Sequence, residues 1–212
     1  MKLQTIKNKT EKLLLFDKKS LKLLERNNNN LNANIKYWLK NSNLIALKKG
    51  TYLFRETYNK ESKKNEYLEY LANQLLKPSY LSLEYVLSKY QLLSESVRAI
   101  TSVSAKSSRE FSNELGVWRY YYLPIKFFIG YKIKYFKAQP IIEASKAKAL
   151  FDFLYLRFRR GLVVQDQNLD NLRLNWENLN RSDIRELISY FKLIPEKRWD
   201  KLKKIIKKKY AT

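Results

Sequence analysis

Residues 31–53 read LNANIKYWLKNSNLIALKKGTYL. Leu31, Ile35, Trp38 and Leu39 fall at i, i+4, i+7 and i+8, which is one apolar face of a helix spanning about Asn29 to Asn41. Asn30, Ala33, Lys36, Tyr37 and Lys40 take the other side. Ile45-Ala46-Leu47 and Thr51-Tyr52-Leu53 then read as two strands around Lys48-Lys49-Gly50. Glycine supplies the positive φ that a tight hairpin tip requires.

Upstream, Leu3, Ile6, Leu13 and Leu14 predict a first helix over residues 2–14. Leu15-Phe16 reads as a short strand. Asp17 can accept the free N–H groups of a second helix. Leu21 and Leu24 of that helix point inward with Leu23 beside them, and Arg26-Asn27-Asn28 ends it. Three helices followed by a basic hairpin is the order of a winged helix-turn-helix, here predicted for residues 1–58. In that fold one helix enters the major groove. Asn pairs in two-point fashion with adenine, and Lys reaches guanine or phosphate. Asn30, Asn32, Lys36 and Tyr37 are therefore the candidate base readers, with Lys40 nearer the backbone. Lys48 and Lys49 at the hairpin tip are candidates for phosphate or minor groove, while Trp38 and Tyr52 belong to the core. The implied partner is double-stranded operator DNA, an inverted repeat if two half-sites are read. The plainer reading is a solvated helix face in an AT-rich gene.

Composition agrees with a polyanionic partner. The 212 residues carry 43 Lys and Arg against 20 Asp and Glu, a net charge of +23, which favours nucleic acid or an anionic surface. The ends are the most basic parts: residues 1–65 are net +11, 66–195 net +6 and 196–212 net +6. With 45% hydrophobic residues the chain can build a core. It has no Cys and no His, which removes thiol and imidazole chemistry and Cys/His metal sites. No phosphate loop or dinucleotide fingerprint occurs, so no cofactor is expected. Met1 to Phe16 lacks the apolar core of a signal peptide. No apolar run approaches the ~20 residues of a membrane span. A cytoplasmic protein without membrane contact is the expectation.

Residues 56–66 are polar and read as a linker or the solvated start of a helix. Beyond them, Leu68, Leu71, Leu75 and Leu76 mark a helix stopped by Pro78. Ser79 or Ser82 caps the next, with Leu83, Val86 and Leu87 inside. Val97 to Val103 is strand-like, and Phe127 to Tyr135 alternates in its second half. An antiparallel sheet follows from strands so close in sequence, with Pro140 ending the region. Ala147, Leu150, Phe151, Leu154 and Phe158 define a helix from about Ala144. Another, capped by Asn180 or Ser182, carries Ile184, Leu187, Ile188 and Phe191. The last helix sets Trp199, Leu202, Ile205 and Ile206 against lysines. The fold class is α+β: a winged helix followed by a domain at 66–212 with an antiparallel sheet flanked by helices. Lys203, Lys204, Lys207 and Lys208, with Lys201 and Lys209, are candidates for phosphate or partner contact.

Four sequence words in the central block carry a resemblance. They are Ala72-Asn73-Gln74-Leu75-Leu76-Lys77-Pro78-Ser79-Tyr80-Leu81-Ser82-Leu83-Glu84; Thr101-Ser102-Val103 with Phe111 and Leu115-Gly116; Phe127-Phe128-Ile129-Gly130-Tyr131; and Lys146 through Leu156, KAKALFDFLYL. Over residues 66–192 the chain resembles the AbiEi family of antitoxins, the repressor half of type IV toxin–antitoxin systems in phage defence by abortive infection. Ala147 stands where that family usually has Glu, and Gln91 where it usually has Gly. The resemblance implies a DNA-binding transcriptional repressor of its own operon. It also implies an antitoxin that counters a nucleotidyltransferase-type toxin, without an obligatory stable complex. The alternative is a basic RNA-binding or ribosome-associated protein.

No catalytic set is read. Glu143 and Asp152 flank a helix start nine residues apart, whereas a metal nuclease needs converging carboxylates. Asp152 is expected to answer an Arg or a helix end. The rings of Trp118, Tyr120, Tyr121, Tyr122, Phe127, Phe128 and Tyr131 are expected mostly in the core, with base stacking as the other use.

Overall fold

The computed structural model describes residues 3–10, 13–95, 97–159 and 163–210. They form a mixed α+β architecture in two compact units. One comprises Met1–Leu71 with Phe111–Gly116, the other Ala72–Glu110 with Val117–Thr212.

The first unit runs α1 (Leu3–Thr10), β1 (Phe16–Asp17), α2 (Lys18–Lys22), α3 (Asn28–Lys40), β2 (Leu44–Lys48), β3 (Thr51–Phe54), α4 (Arg55–Lys60) and the start of α5 (Lys64–Leu75). Its three strands lie in the order β1-β3-β2, with both pairings antiparallel. Ile6, Phe16, Leu21, Leu31, Ile35, Trp38, Leu44, Tyr52 and Phe54 form one buried cluster, so Trp38 and Tyr52 are core.

Three expectations change here. The first helix ends at Thr10 rather than residue 14; Lys2, Glu11 and Lys12 lie outside the described residues. The Leu14 carbonyl instead accepts the Tyr67 hydroxyl, and Leu13 is exposed. Leu23 is 84% exposed, because two residues past Leu21 it lies about 200° round the helix. Of the two readings of residues 56–66, the helix start holds at α5 and the linker gives way to α4, with Glu61 buried between them.

The second unit continues from α5 through β4 (Ser79–Leu81), α6 (Leu83–Lys89), β5 (Ile100–Ser104), β6 (Arg109–Asn113) and β7 (Gly116–Tyr122). A 3-10 turn (Ile125–Phe127), β8 (Tyr131–Phe136), β9 (Gln139–Ala144), α7 (Lys146–Arg159) and α8 (Asp166–Asp170) follow. A second 3-10 turn (Trp176–Asn178), α9 (Arg181–Phe191) and α10 (Lys197–Tyr210) complete it.

The sheet order is β6-β7-β5-β4-β9-β8. This sheet is mixed, not antiparallel as expected. β4·β5 and β8·β9 are antiparallel, but β5·β7 and β4·β9 are parallel. The reason is chain order: β6 takes the outer position before β7 returns beside β5. β4 carries no periodic signal because all three of its residues are buried. Pro140 does not end the region; it lies in β9 opposite Tyr135, at an exposed end of the ladder where a missing N–H is tolerated.

Ten side chains of α7 are buried. Trp199 of α10 stacks on Tyr155 of α7 and Phe191 of α9, with ring centroids 5.4 and 5.6 Å apart. Asn180 and Asp183 close a capping box on α9.

Candidate nucleic-acid interface

The outer face of α3 is set by what the helix buries. The Asn27 side chain caps it, accepting the N–H groups of Asn29 at 2.9 Å and Asn30 at 3.2 Å. Leu31, Ile35 and Trp38 then face the core, each stabilising the orientation by about 1.5–3 kcal/mol. At about 100° per residue, Asn29, Ala33, Lys36, Tyr37 and Lys40 point outward. Asn30 and Asn32 are exposed too, but on opposite flanks, about 160° apart. The two asparagines therefore do not share one reading surface. Asn29, not singled out from sequence, sits closer to the centre of the face. The signal is there: Asn29, Lys36 and Lys40 are spaced i, i+7, i+11, with small Ala33 among them. Tyr37 is 63% exposed.

The hairpin tip is short. The ladder shifts register between Ala46 and Lys48, and Gly50 turns the chain at φ +80°. The Gly50 carbonyl accepts the Lys18 N–H at 2.8 Å. This bond brings Lys18 and the exposed Lys19 to the tip, a juxtaposition that linear sequence does not display. The two tip lysines are not equivalent. Lys49 is exposed, whereas Lys48 is half-buried with its ammonium 5.7 Å from the Phe111 ring centroid.

From Arg26 to Phe54 the chain contains no carboxylate and five cationic side chains. Asp17 and Glu25 are the nearby acids, and Glu25 accepts the Asn27 N–H at 3.2 Å at the start of α3. Asp17 accepts the Ser20 N–H at 2.7 Å and the Ser20 hydroxyl at 2.8 Å, and these bonds hold its pKa below the ordinary value. Phosphate-like anions would thus meet cations on α3 and at the tip, with the two bordering carboxylates each engaged in a hydrogen bond.

A second basic surface lies on α10. Trp199, Leu202 and Ile206 are buried, so Lys197, Lys201, Lys204 and Lys208, all exposed, form one outward row spaced i, i+4, i+7, i+11. Of the lysines expected to act here, Lys201, Lys204 and Lys208 lie in the row and Lys207 is exposed on its flank. Lys203 is largely covered and pairs with Asp200 at 2.6 Å. The side chain of Lys209 lies outside the described residues.

Asp152 answers neither an Arg nor a helix end. It is fully buried and pairs with Lys148 one turn earlier. Its other oxygen accepts the hydroxyls of Tyr80 at 2.9 Å and Ser82 at 2.7 Å. Burial raises the Asp152 pKa and lowers that of Lys148. The Lys148 ammonium also lies over the Phe151, Tyr80 and Tyr190 rings. Glu143 is engaged elsewhere, with Lys89 at 2.6 Å and Lys134 at 2.7 Å.

Among the aromatic residues, Trp118, Tyr120 and Phe127 are core, while Tyr122 and Tyr131 are partly exposed. Among the described residues, no group of three or more Asp and Glu is arranged to hold a metal ion, and no helix is long and apolar enough to cross a membrane. No family model matches the chain, and no curated protein matches it.

Proposed function

We propose that the first unit is a winged helix-turn-helix that docks α3 in the major groove of duplex operator DNA. The observation that carries this reading is the element order α1-β1-α2-α3-β2-β3 with strand order β1-β3-β2, joined to an outer α3 face free of carboxylates. Such a unit presents one helix to base edges and a hairpin to the backbone. Lys36, Tyr37, Lys40 and Asn29 are the central contacts, Asn30 and Asn32 each serve one flank, and Lys49 with Lys19 holds phosphate. The chain as a whole acts as the repressor of its own operon and as an antitoxin against a nucleotidyltransferase-type toxin. The antitoxin half rests on the sequence words in residues 72–156.

The test is a gel-shift series with the chain's own upstream DNA against scrambled duplex. Specific repression predicts tighter binding to the upstream DNA; equal affinity for both overturns it. Replacing Lys36, Lys40 and Lys49 by Gln should flatten the dependence of log K on log salt by about 0.9 for each phosphate that is no longer neutralised. Growth rescue on co-expression with an adjacent nucleotidyltransferase-like frame tests the antitoxin half.

A second reading, RNA binding, draws on the lysine row of α10. It predicts that structured RNA outcompetes duplex DNA, and that Lys197, Lys201, Lys204 and Lys208 matter more than the α3 lysines.

A further inference from the structure

The second unit contains a groove of about 930 Å³, within the size range of small-ligand sites. Its floor is formed by β5 and β7, one wall by α6 and α7, and the other by residues 93–95, 97–99 and 171–173. Arg98, Arg119, Arg157 and Arg173 line it, and among the described residues no lysine does. In a chain with 31 Lys and 12 Arg, that selection is opposite to composition. Guanidinium differs from ammonium in ways that matter in a groove. It is planar, grips phosphate in two-point fashion and stacks on nucleobases.

The four arginines divide into two kinds. Arg119 is paired with Glu110 at 2.7 Å. Arg157 lies 4.9 Å from the Phe153 ring centroid and 3.5 Å from Glu84 Oε1, so it is a flat plate backed by an aromatic ring. Arg98 and Arg173 are exposed, and no ion pair engages either among the described residues.

Arg173 is held in place. Its backbone adopts φ +50°, uncommon for a residue with a side chain. Its N–H donates to the Asp170 carbonyl at 3.0 Å, and Leu174 bridges to Leu93. Such conformations persist where the surroundings over-determine them, and they concentrate at ligand sites. Finally, the partly exposed Glu84 carboxylate lines the groove beside Arg157, an acceptor that a bound donor can use.

We propose that this groove binds a nucleotide. Arg98 and Arg173 take the phosphate, the base stacks on the Arg157 plate beside Tyr121, and the Glu84 carboxylate accepts an exocyclic amino group. The site therefore favours adenine, guanine or cytosine over uracil. The nucleotide is either free or one unit of a single strand, since the recognition chemistry is shared. This site is separate from the α3 surface and does not depend on it.

Calorimetric titration of the full chain tests the proposal. The probes are AMP, CMP, GMP and UMP, a short single-stranded adenine oligonucleotide, and inorganic phosphate. Saturable binding of AMP, weakened about tenfold for UMP, is expected. The variant R98Q/R173Q should lose about tenfold or more in AMP affinity with an unchanged melting temperature, since both side chains are exposed. K36Q/K40Q should leave AMP binding intact while weakening duplex DNA, which separates this site from the proposed operator surface. Tighter binding of the oligonucleotide than of AMP supports the site and names a strand as the source; equal binding supports a free nucleotide. The proposal is overturned by absence of saturable binding, by inorganic phosphate binding as tightly as AMP, or by R98Q/R173Q binding like the parent.

Discussion

Replacing Asp152 by Asn should be among the most damaging isosteric changes in this chain. Both Asp152 and Lys148 have no exposed surface, and the ammonium is otherwise surrounded by rings rather than acceptors. Asparagine keeps an acceptor for Tyr80 and Ser82 but leaves Lys148 buried without a counter-charge. Breaking such a pair from one side costs about 3–5 kcal/mol. For a unit of this size each kcal/mol moves the melting temperature by roughly 3–5 °C, so the loss is roughly 10–25 °C. Lys148→Met should cost less. Its removal leaves Asp152 two hydroxyl donors at 2.9 and 2.7 Å and a carboxyl free to take up a proton. The sign of the pH effect follows. Burial raises the folded-state pKa of Asp152, so in Lys148→Met the stability is fully present below the unfolded value, near 3.9, and is lost as pH rises through the raised one. Three of the four tryptophans, Trp118, Trp176 and Trp199, belong to the second unit, so fluorescence melts report on it. A variant carrying Lys148→Met and Asp152→Leu together should lose less than the sum of the single losses. An Asp152→Asn protein melting within about 2 °C of the parent, or one more stable than Lys148→Met, would refute this account.

Gly130→Ala should destabilise by about 2–4 kcal/mol. Gly130 has φ +73°, and a Cβ there would run into the Tyr190 hydroxyl, which is held by Glu186 at 2.6 Å; chemical denaturation measures the loss. Asn27→Ala removes the α3 cap and should cost about 1 kcal/mol, with weaker binding to all duplexes in parallel; a change in sequence preference would contradict that. Glu56 sits between Lys60 and Lys7, whose hydrogen bonds and charges pull its carboxyl down to about 2. An NMR titration should find its midpoint there, moving toward the ordinary value in Lys60→Gln.

The helices are legible in sequence wherever one face is buried. Leu31, Ile35 and Trp38 announce α3, and Leu150, Phe151, Leu154 and Phe158 announce α7, because a 3.6-residue period survives in apolar spacing. β4 does not show, since three buried residues in the middle of a sheet have no period to display. Parallel pairing does not show either, because it depends on which strand slots between which neighbours. The α3 residues are readable as an exposed set, but their division into centre and flanks requires the buried face to be fixed first. The arginine groove is invisible in sequence: Arg98, Arg119, Arg157 and Arg173 come from four separate segments, and nothing local links them. Asp152 stands out as a lone acid, yet its partner does not, because Lys148 is one of four cationic residues in α7 and nothing in the sequence says which of them is buried.

The return of Phe111–Gly116 to the first unit has a consequence for inheritance. β2 is an edge of its sheet. The Asn113 side-chain amide donates to the Leu47 carbonyl at 3.2 Å, Phe111 lies beneath Lys48, and Glu114 pairs with Arg55 at 2.6 Å. A single genetic crossover that transplanted the first 71 codons would carry that strand away with its border bare. Bare strand borders invite pairing with stray chains. Exchange of this head between relatives therefore requires three coordinated crossovers, two of them bracketing a segment some forty residues downstream. Lineages in which the head has changed should show matching change at residues 111–116.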